Sequence, residues 1–301
     1  MGLSSLHLDA FFAAAQTLNF SNAAKDLYIT QSALSQRIKA LEEDLDLTLF
    51  VRLPRGVQLT EAGERVLRYC LARHSMEVEL LEHLTGKADE GLGGQLRIGG
   101  YSSVVRSVLI PALSPMLRDN PNVQAHFQNG EMRELPNMLI TGQVDFIVTD
   151  CAVHRADIET IKLGDEEYVM TVSADHPLDH EIYLDHDPSD TVTERFLKTQ
   201  KRKPPEYRRS FMDEVYAIID GAARGLGKAV LSRHLIVNDP RIEIVHGYKP
   251  LPVPVLLHFH KQPFYTELHQ RTIRELTGRC DGLLHPDRVP TAEKKLRRPS
   301  T

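Results

Sequence analysis

From Glu61 to Leu84 the chain carries no proline, and its only glycine, Gly63, falls in the first turn. With Val66, Cys70, Leu80, Leu81 and Leu84 spaced along it, the stretch suggests a single long helix. That helix divides the sequence into two parts with different periods. Before it, apolar residues recur every three or four positions, the signature of packed helices. After it, short apolar runs alternate with helical segments, the order of an α/β protein.

In the first part Leu8, Phe11, Phe12, Ala15 and Leu18 form one stripe of an amphipathic helix. Asn19 and Ser21 suit the end of this helix and the cap of a second, in which Ala24 and Leu27 face inward. Thr30 fits the N-cap of a third helix, and Ile29 before it can staple onto Leu34. "TLFVR", a turn at "LPRG" and "VQLT" then spell a small hairpin, and Thr60 caps the long helix.

In a helix over residues 31–45, Leu34, Ile38, Leu41 and Leu45 line one side, while Ser32, Ser35, Gln36 and Lys39 line much of the other. A solvated face usually alternates Glu with Lys, and the acidic half "EEDLD" has that character. Short donors and acceptors with one cation suit base edges in a major groove instead. Ala23 and Ala24 let the preceding helix approach closely, which makes the pair a helix-turn-helix. Arg52 and Arg55 stand at the edge and tip of the hairpin, placed to grip phosphates or enter the minor groove. An ordinary helical hairpin with a polar face is the plainer alternative, but it leaves the coincidence of alanine pair, turn, stripe and basic wing without a cause.

On the long helix, Val66, Cys70, Leu80, Leu81 and Leu84 suggest an apolar seam for a second copy of the chain, and "GKADEGLGG" breaks the helix as a hinge. Beyond it come the strand "QLRIGG", a helix with Leu109, Leu113, Met116 and Leu117, the strand "VQAHF", another helix, and the buried strand "VDFIVT". A second series follows: strand "EYVMTVS", helical "DEVYAIIDGAARG", strands "KAVL" and "VPVLLHFH", and a final helix from Phe264 to Leu276. Two α/β lobes imply a cleft, and ligands of such lobes sit at the carboxyl ends of strands, facing helix N-termini. Tyr101, Ser102 and Ser103 follow the first strand in that place, and Thr149 and Asp150 follow the third. The serines also suit simple helix capping, and both roles can hold together.

Other signals fail. "GAARGLGK" is one residue too long for a phosphate loop, and Ala229 follows Lys228 where Ser or Thr should bind magnesium. The His and Asp residues of "DHPLDHEIYLDHD" read as a surface loop, and His258 with His260 lacks an obvious third ligand, so neither metal nor other cofactor is expected. No nucleophile-elbow, zincin or paired-cysteine motif gives enzyme chemistry a foothold. Cys70, Cys151 and Cys280 are few, scattered and odd in number, so reduced, buried thiols are expected. A net charge of -5 over 301 residues does not decide for or against a polyanion, because a local face does. No apolar run approaches a membrane span, and "MGLSSLHLDAFFAAAQ" lacks the basic start of a secretory signal; a cytoplasmic protein without a membrane partner is expected.

"FSNAAKDLYITQSALSQRIKALEEDLDLTLFVR" followed by "LTEAGERVL" resembles the signature of the LysR-type transcriptional regulators. "GGQLRIGGYSS", "LIPALSPMLRDNPNV", "LITGQVDFIVTD", "ADHPL" and "AARGLGKAVLSRHLI" are similar to that family's effector-region landmarks, so the likeness runs to about residue 282. It implies a winged helix-turn-helix over 1–60, a dimerising linker helix and hinge over 61–90, and an effector-binding region over 91–284. This last is folded like periplasmic binding proteins, with lobe I at about 94–164 and 265–282 and lobe II at about 165–264. A disordered basic tail over 285–301 follows. The expected DNA contacts are Ser21, Thr30, Gln31, Ser32, Ser35, Gln36, Lys39, Arg52 and Arg55, and the family pattern adds Phe211, Met212 and Asp213 to the effector cleft. Ser32 and Gln36 replace a proline and an arginine common in the family. "TQSALSQRIKALE" stands nearer the arginine-export and replication-initiation regulators, which puts a basic amino acid among the candidate effectors. Partners are then double-stranded DNA, a small molecule and a second copy, as dimer or tetramer. Rival readings are a solute-binding protein without DNA function and an architectural DNA-binding protein without an effector.

Overall fold

The computed structural model describes residues 2–53, 56–84, 91–178, 180–200 and 205–286, and of Glu82 and His83 the backbone alone. Arg55, residues 85–90 of the expected hinge, and the basic tail beyond Pro286 lie outside the described residues.

The N-terminal unit comprises helices α1 (Ser5–Thr17), α2 (Phe20–Asp26) and α3 (Gln31–Leu45), then a hairpin of β1 (Phe50–Leu53) and β2 (Gly56–Leu59), and the long α4 (Glu61–Leu84). Ala10, Ala14 and Ala15 of α1 and Ala23 of α2 have no exposed surface, so small side chains let three helices meet around Phe11, Leu34 and Leu41. Each large apolar side chain buried there contributes about 1.5–3 kcal/mol. The caps follow the expected residues: the Asn19 side chain accepts from Ser21 and Asn22 backbone N–H, Thr30 from Ala33, and Thr60 from Gly63. Glu42 ties the wing to α3 by accepting from the Leu49 and Phe50 backbone at 2.7 and 3.3 Å. Gly63 permits this junction, since a Cβ there would stand 2.2 Å from the Leu49 carbonyl oxygen.

The seam expected on α4 divides in two. Val66 and Cys70 face the N-terminal core, with Cys70 3 % exposed, and so form no outer seam. Tyr69, Met76, Leu80 and Leu84 make the exposed face, with Leu81 to one side. The cause is helical geometry: positions 66 and 70 turn toward α1 while 69, 76 and 80 turn away. Burial pushes the Cys70 thiol up to about 12.

Lobe I begins with β3 (Gly94–Gly100), α5 (Ser102–Val104), a π-helical turn (Val105–Leu109), α6 (Ile110–Asp119), β4 (Val123–Asn129), α7 (Leu135–Ile140) and β5 (Phe146–Thr149). There follow β6 (Ile158–Ser173), β7 (Ile182–Asp185), α8 (Val192–Lys198), β8 (Arg208–Phe211), α9 (Val215–Ala223), β9 (Lys228–Ser232), α10 (Arg233–Ile236), β10 (Ile242–Ile244), β11 (Leu251–His260) and α11 (Glu267–Leu284). One sheet runs β4-β3-β5-β11-β6-β9-β7-β8, with β10 beside β6. The parallel strands β4, β3 and β5 serve lobe I, and β9, β7 and β8 serve lobe II. Among the described residues the antiparallel ribbon of β6 and β11 passes from one lobe to the other, and its register shifts at Val255/Leu256 opposite Gly164. Successive residues of this ribbon serve opposite faces, so Val169 packs under α9 while Met170 packs with Phe196 on the other side.

Three sequence expectations change. "EIYLDH" is no surface loop: β7 lies between β8 and β9, and Tyr183, Leu184 and Asp185 are buried. The final helix starts later and runs on to Leu284, because Thr266 caps it and its buried stripe continues through Cys280. Cys151 is exposed, whereas a buried thiol was expected, because it follows β5 where the chain leaves the sheet.

Helix α4 lies against lobe I. Arg155 donates to Glu64 at 2.7 Å and Arg68 pairs with Asp157 at 3.0 Å, while the Glu267 backbone N–H donates to Glu79 at 3.0 Å. Among the described residues no helix is long and apolar enough to cross a membrane.

Candidate functional site

Two regions gather the residues singled out by sequence. On α3, Gln31, Ser32, Gln36 and Lys39 are exposed and Ser35 is half-buried, while Leu34, Ile38 and Leu41 anchor the opposite side in the core. The exposed stripe therefore stands on a rigid support. The exposed Gln36 side chain makes no hydrogen bond among the described residues, so its amide oxygen and nitrogen remain available. Lys39 reaches Glu43 at 3.2 Å with both groups well exposed, an i,i+4 pair worth only about 0.3–0.5 kcal/mol and easily exchanged for a phosphate. The carboxylates Glu42, Glu43, Asp44 and Asp46 cluster at the far end of α3, so its N-terminal half offers polyanions the weaker repulsion.

Ser21 and Thr30 act first within the protein. The Ser21 hydroxyl donates to Gln31 Oε1 at 3.2 Å and locks α2 to α3, and the Thr30 hydroxyl caps α3 and meets Ser32 Oγ at 3.0 Å. Arg52 is exposed on β1, on the hairpin tied to α3 through Glu42.

Between the lobes the side chains converge on Glu166, a β6 carboxylate with no exposed surface. Tyr101 donates its hydroxyl to Oε1 at 2.9 Å from lobe I, and Tyr168 donates to the same oxygen at 3.3 Å. Ser232 donates to Oε2 at 2.6 Å, and His234 Nε2 stands 3.0 Å from it. The other His234 nitrogen meets Ser107 Oγ at 2.9 Å, and Ser107 in turn donates to the Ser103 carbonyl. Burial, then the charge of Glu166, holds the Tyr101 and Tyr168 phenols well above their ordinary range, so both remain donors. The exposed Arg106 guanidinium lies 4.2 Å over the Tyr216 ring, a second contact from lobe I to lobe II.

Of the expected effector contacts, Tyr101, Ser102 and Ser103 start α5 beside this hub, with Ser102 half-buried. Thr149 is sequestered: its hydroxyl donates to the Cys151 carbonyl at 2.7 Å and meets His258 Nε2 at 2.9 Å, while His258 Nδ1 meets Thr160. A ligand could reach it only by breaking that chain. Asp150 is half-buried near Tyr101, and with desolvation it raises the Cys151 thiol. Met212 is half-buried and packs on the lobe II core beside Gly221. Phe211 is exposed with the Arg209 guanidinium 5.0 Å from its ring, and Asp213 adopts φ 56 in the turn before α9, whose first N–H groups Glu214 caps.

Sequence reasoning missed Glu166, Ser107, Ser232 and His234, which meet only through contacts spanning 65 or more residues. His258 and His260 are buried, and burial lowers both, so they are neutral structural groups. Among the described residues no three His, Cys, Asp or Glu side chains converge as a metal site. A cavity of about 1030 Å³ opens elsewhere, between α1, α4 and the start of lobe I. It touches none of the expected effector residues.

Residues 6–64 match the family of bacterial regulatory helix-turn-helix proteins of the lysR type, and residues 89–281 match the LysR substrate binding domain. The transcriptional regulator ShiR of Corynebacterium glutamicum is 34% identical over 181 residues, which span 59% of this chain and 60% of that protein. ArgP of Mycobacterium tuberculosis superposes with a TM-score of 0.75 at 20% identity, covering 93% of this chain and 98% of ArgP. LysG of Corynebacterium glutamicum, with bound effector Arg, gives 0.71 at 19% identity over 92% and 97%.

Proposed function

This chain belongs to the LysR family of bacterial transcriptional regulators, DNA-binding proteins with an effector-binding domain, and we propose how its own residues perform that task. Helix α3 enters the major groove with Gln31, Ser32, Ser35 and Gln36 toward base edges, while Lys39 and Arg52 meet phosphates. Two copies pair through the Tyr69, Met76, Leu80 and Leu84 face of α4, which sets two groove helices on one side of the duplex. The protein acts in the cytoplasm, where its DNA is. The observation that carries this reading is the supported row of amide and hydroxyl groups on α3, with its acids confined to the far end.

The effector binds between the lobes, near Tyr101, Ser102 and Asp150, and works by changing the Glu166 contacts that hold the lobes together. A ligand shifts this equilibrium only through its different affinity for the two arrangements. Two carboxylates, Glu166 and Asp150, stand near Tyr101, whereas Arg106 is engaged on the Tyr216 ring. That charge favours a small basic molecule, and the arginine held by LysG, a relative in fold, points the same way.

One footprinting series tests both halves. Gln36→Ala should lose about 1–3 kcal/mol on the operator and little on random DNA; equal losses on both would remove α3 from base reading. Arginine and lysine should shift the wild-type footprint while aspartate should not, and a response to aspartate alone would overturn the effector class.

A further inference from the structure

The turn that joins α2 to α3 holds Tyr28 at φ 55, in the left-handed region, with the side chain 96 % exposed. A bulky residue adopts that conformation at a cost, which is why such turns often use glycine. The other positive-φ residues outside glycine have evident reasons. Leu18 ends α1 half-buried, and Asp46 and Asp213 carry the short polar side chains that tolerate the region. Tyr28 closes α2 as its left-handed cap, with Tyr28 N–H donating to Lys25 and Ile29 N–H to Ala24, at 3.0 Å each, a place that glycine usually fills, and among the described residues its ring packs on nothing. The fold requires the left-handed turn but not a large ring there, and an exposed aromatic kept at such a cost without a packing return marks a position for function.

We propose that Tyr28 is a further DNA contact, its phenol hydroxyl donating to a phosphate oxygen at the edge of the groove that α3 enters. The inference rests on the groove reading of α3 given above. The turn immediately precedes the N-cap Thr30 and the exposed Gln31 and Ser32, so it flanks the end of α3 that points into the groove. A helix-turn-helix seats that end beside a sugar-phosphate strand, and tyrosine is among the side chains that donate to phosphate. Exposed Lys25, one turn back on α2, supplies cationic charge on the same edge. The contact is neutral, so it adds affinity without base preference and without a change in salt slope.

Fold stability and DNA affinity should therefore move apart in Tyr28→Gly. This variant should melt at the wild-type temperature or above it, because glycine accepts the turn freely. It should bind operator and random DNA about tenfold more weakly, as expected for one hydrogen bond to a charged group. Tyr28→Phe, which keeps the ring and removes the hydroxyl, should show the same loss. Fluorescence anisotropy on both DNAs and thermal melting of the full chain supply the readouts, with Gln36→Ala as reference. A Tyr28→Gly protein with wild-type affinity, or with a lowered melting temperature, overturns the proposal, as does a Tyr28→Phe protein that binds normally. If Gln36→Ala loses operator preference while both Tyr28 variants bind as wild type, the Tyr28 contact alone is wrong. If all three bind as wild type, the groove reading itself has failed.

Discussion

Removal of Glu166 exposes how the two lobes are held. Its two oxygens receive four donors at 2.6 to 3.3 Å, from both lobes, with no water-accessible surface. In Glu166→Gln the oxygen that remains can keep Tyr101 and Tyr168, while the amide nitrogen replaces Oε2 and itself donates. Ser232 can rotate to accept, and His234 can present Nε2 as an acceptor while Nδ1–H donates to Ser107, whose bond to Ser103 survives. The main loss is then charge assistance on two tyrosine bonds, about 1.5–3 kcal/mol in total after relaxation. Glu166→Ala permits no such rearrangement and leaves four buried groups without a partner. At about 1–3 kcal/mol for each unsatisfied group, less what entering water recovers, it should cost roughly 3–5 kcal/mol. Urea unfolding, followed by far-UV circular dichroism and by tyrosine fluorescence in this tryptophan-free chain, gives both differences. In a footprint, both variants should lose the effector-dependent shift while retaining DNA binding. An alanine variant as stable as the glutamine one, or an intact effector response in either, would refute the view that Glu166 couples the lobes.

Two further outcomes follow from other parts of the chain. Leu80→Asp places a charge in the middle of the exposed α4 face and should raise the dimer dissociation constant at least about 100-fold, read by sedimentation; an unchanged dimer would show that copies meet elsewhere. His269, stacked on Tyr265 and close to Phe146, is lowered to about 4 by burial, with Asp145 opposing the shift. The unfolded chain, with an ordinary His, takes up a proton near pH 6.5 that the folded one resists. Stability should therefore be full above pH 6.5 and fall by up to about 3 kcal/mol as pH drops toward 4. In His269→Phe this fall should shrink, and equal pH dependence in both proteins would assign the acid sensitivity to other groups.

What could be read from the sequence divides along physical lines. The caps at Asn19, Thr30 and Thr60 and the two faces of α3 depend on neighbours within a few positions, where local spacing is sufficient information. Val66 and Cys70 look identical to seam residues, because a helix that packs on one domain near its start and presents another face near its end shows one unbroken apolar series. Strand β7 hid for a different reason: only Ile182, Tyr183 and Leu184 lie between charged and histidine residues, so a parallel strand inside the sheet is too short to declare itself.

Tyr28 and Glu166 mark a deeper limit, since what matters about each is absent from its own segment. The left-handed turn follows from burying Ile29 and Ala24 while α3 starts at a fixed angle, so a residue type with no preference for that conformation is carried into it. A glutamate before the apolar run "YVMTVS" reads as a solvent-side residue of a strand. It becomes the most buried charge between the lobes only because β6 passes from one lobe to the other and brings Tyr101, Ser232 and His234 to it, with Ser107 behind His234. A carboxylate in that position is tolerable only when every donor is present together. Tyr168, Ser232 and His234 stay with Glu166 in lobe II, so a movement that separates the lobes must break the Tyr101–Glu166 and Ser107–His234 bonds together, and that gives the cleft two discrete arrangements for a ligand to choose between.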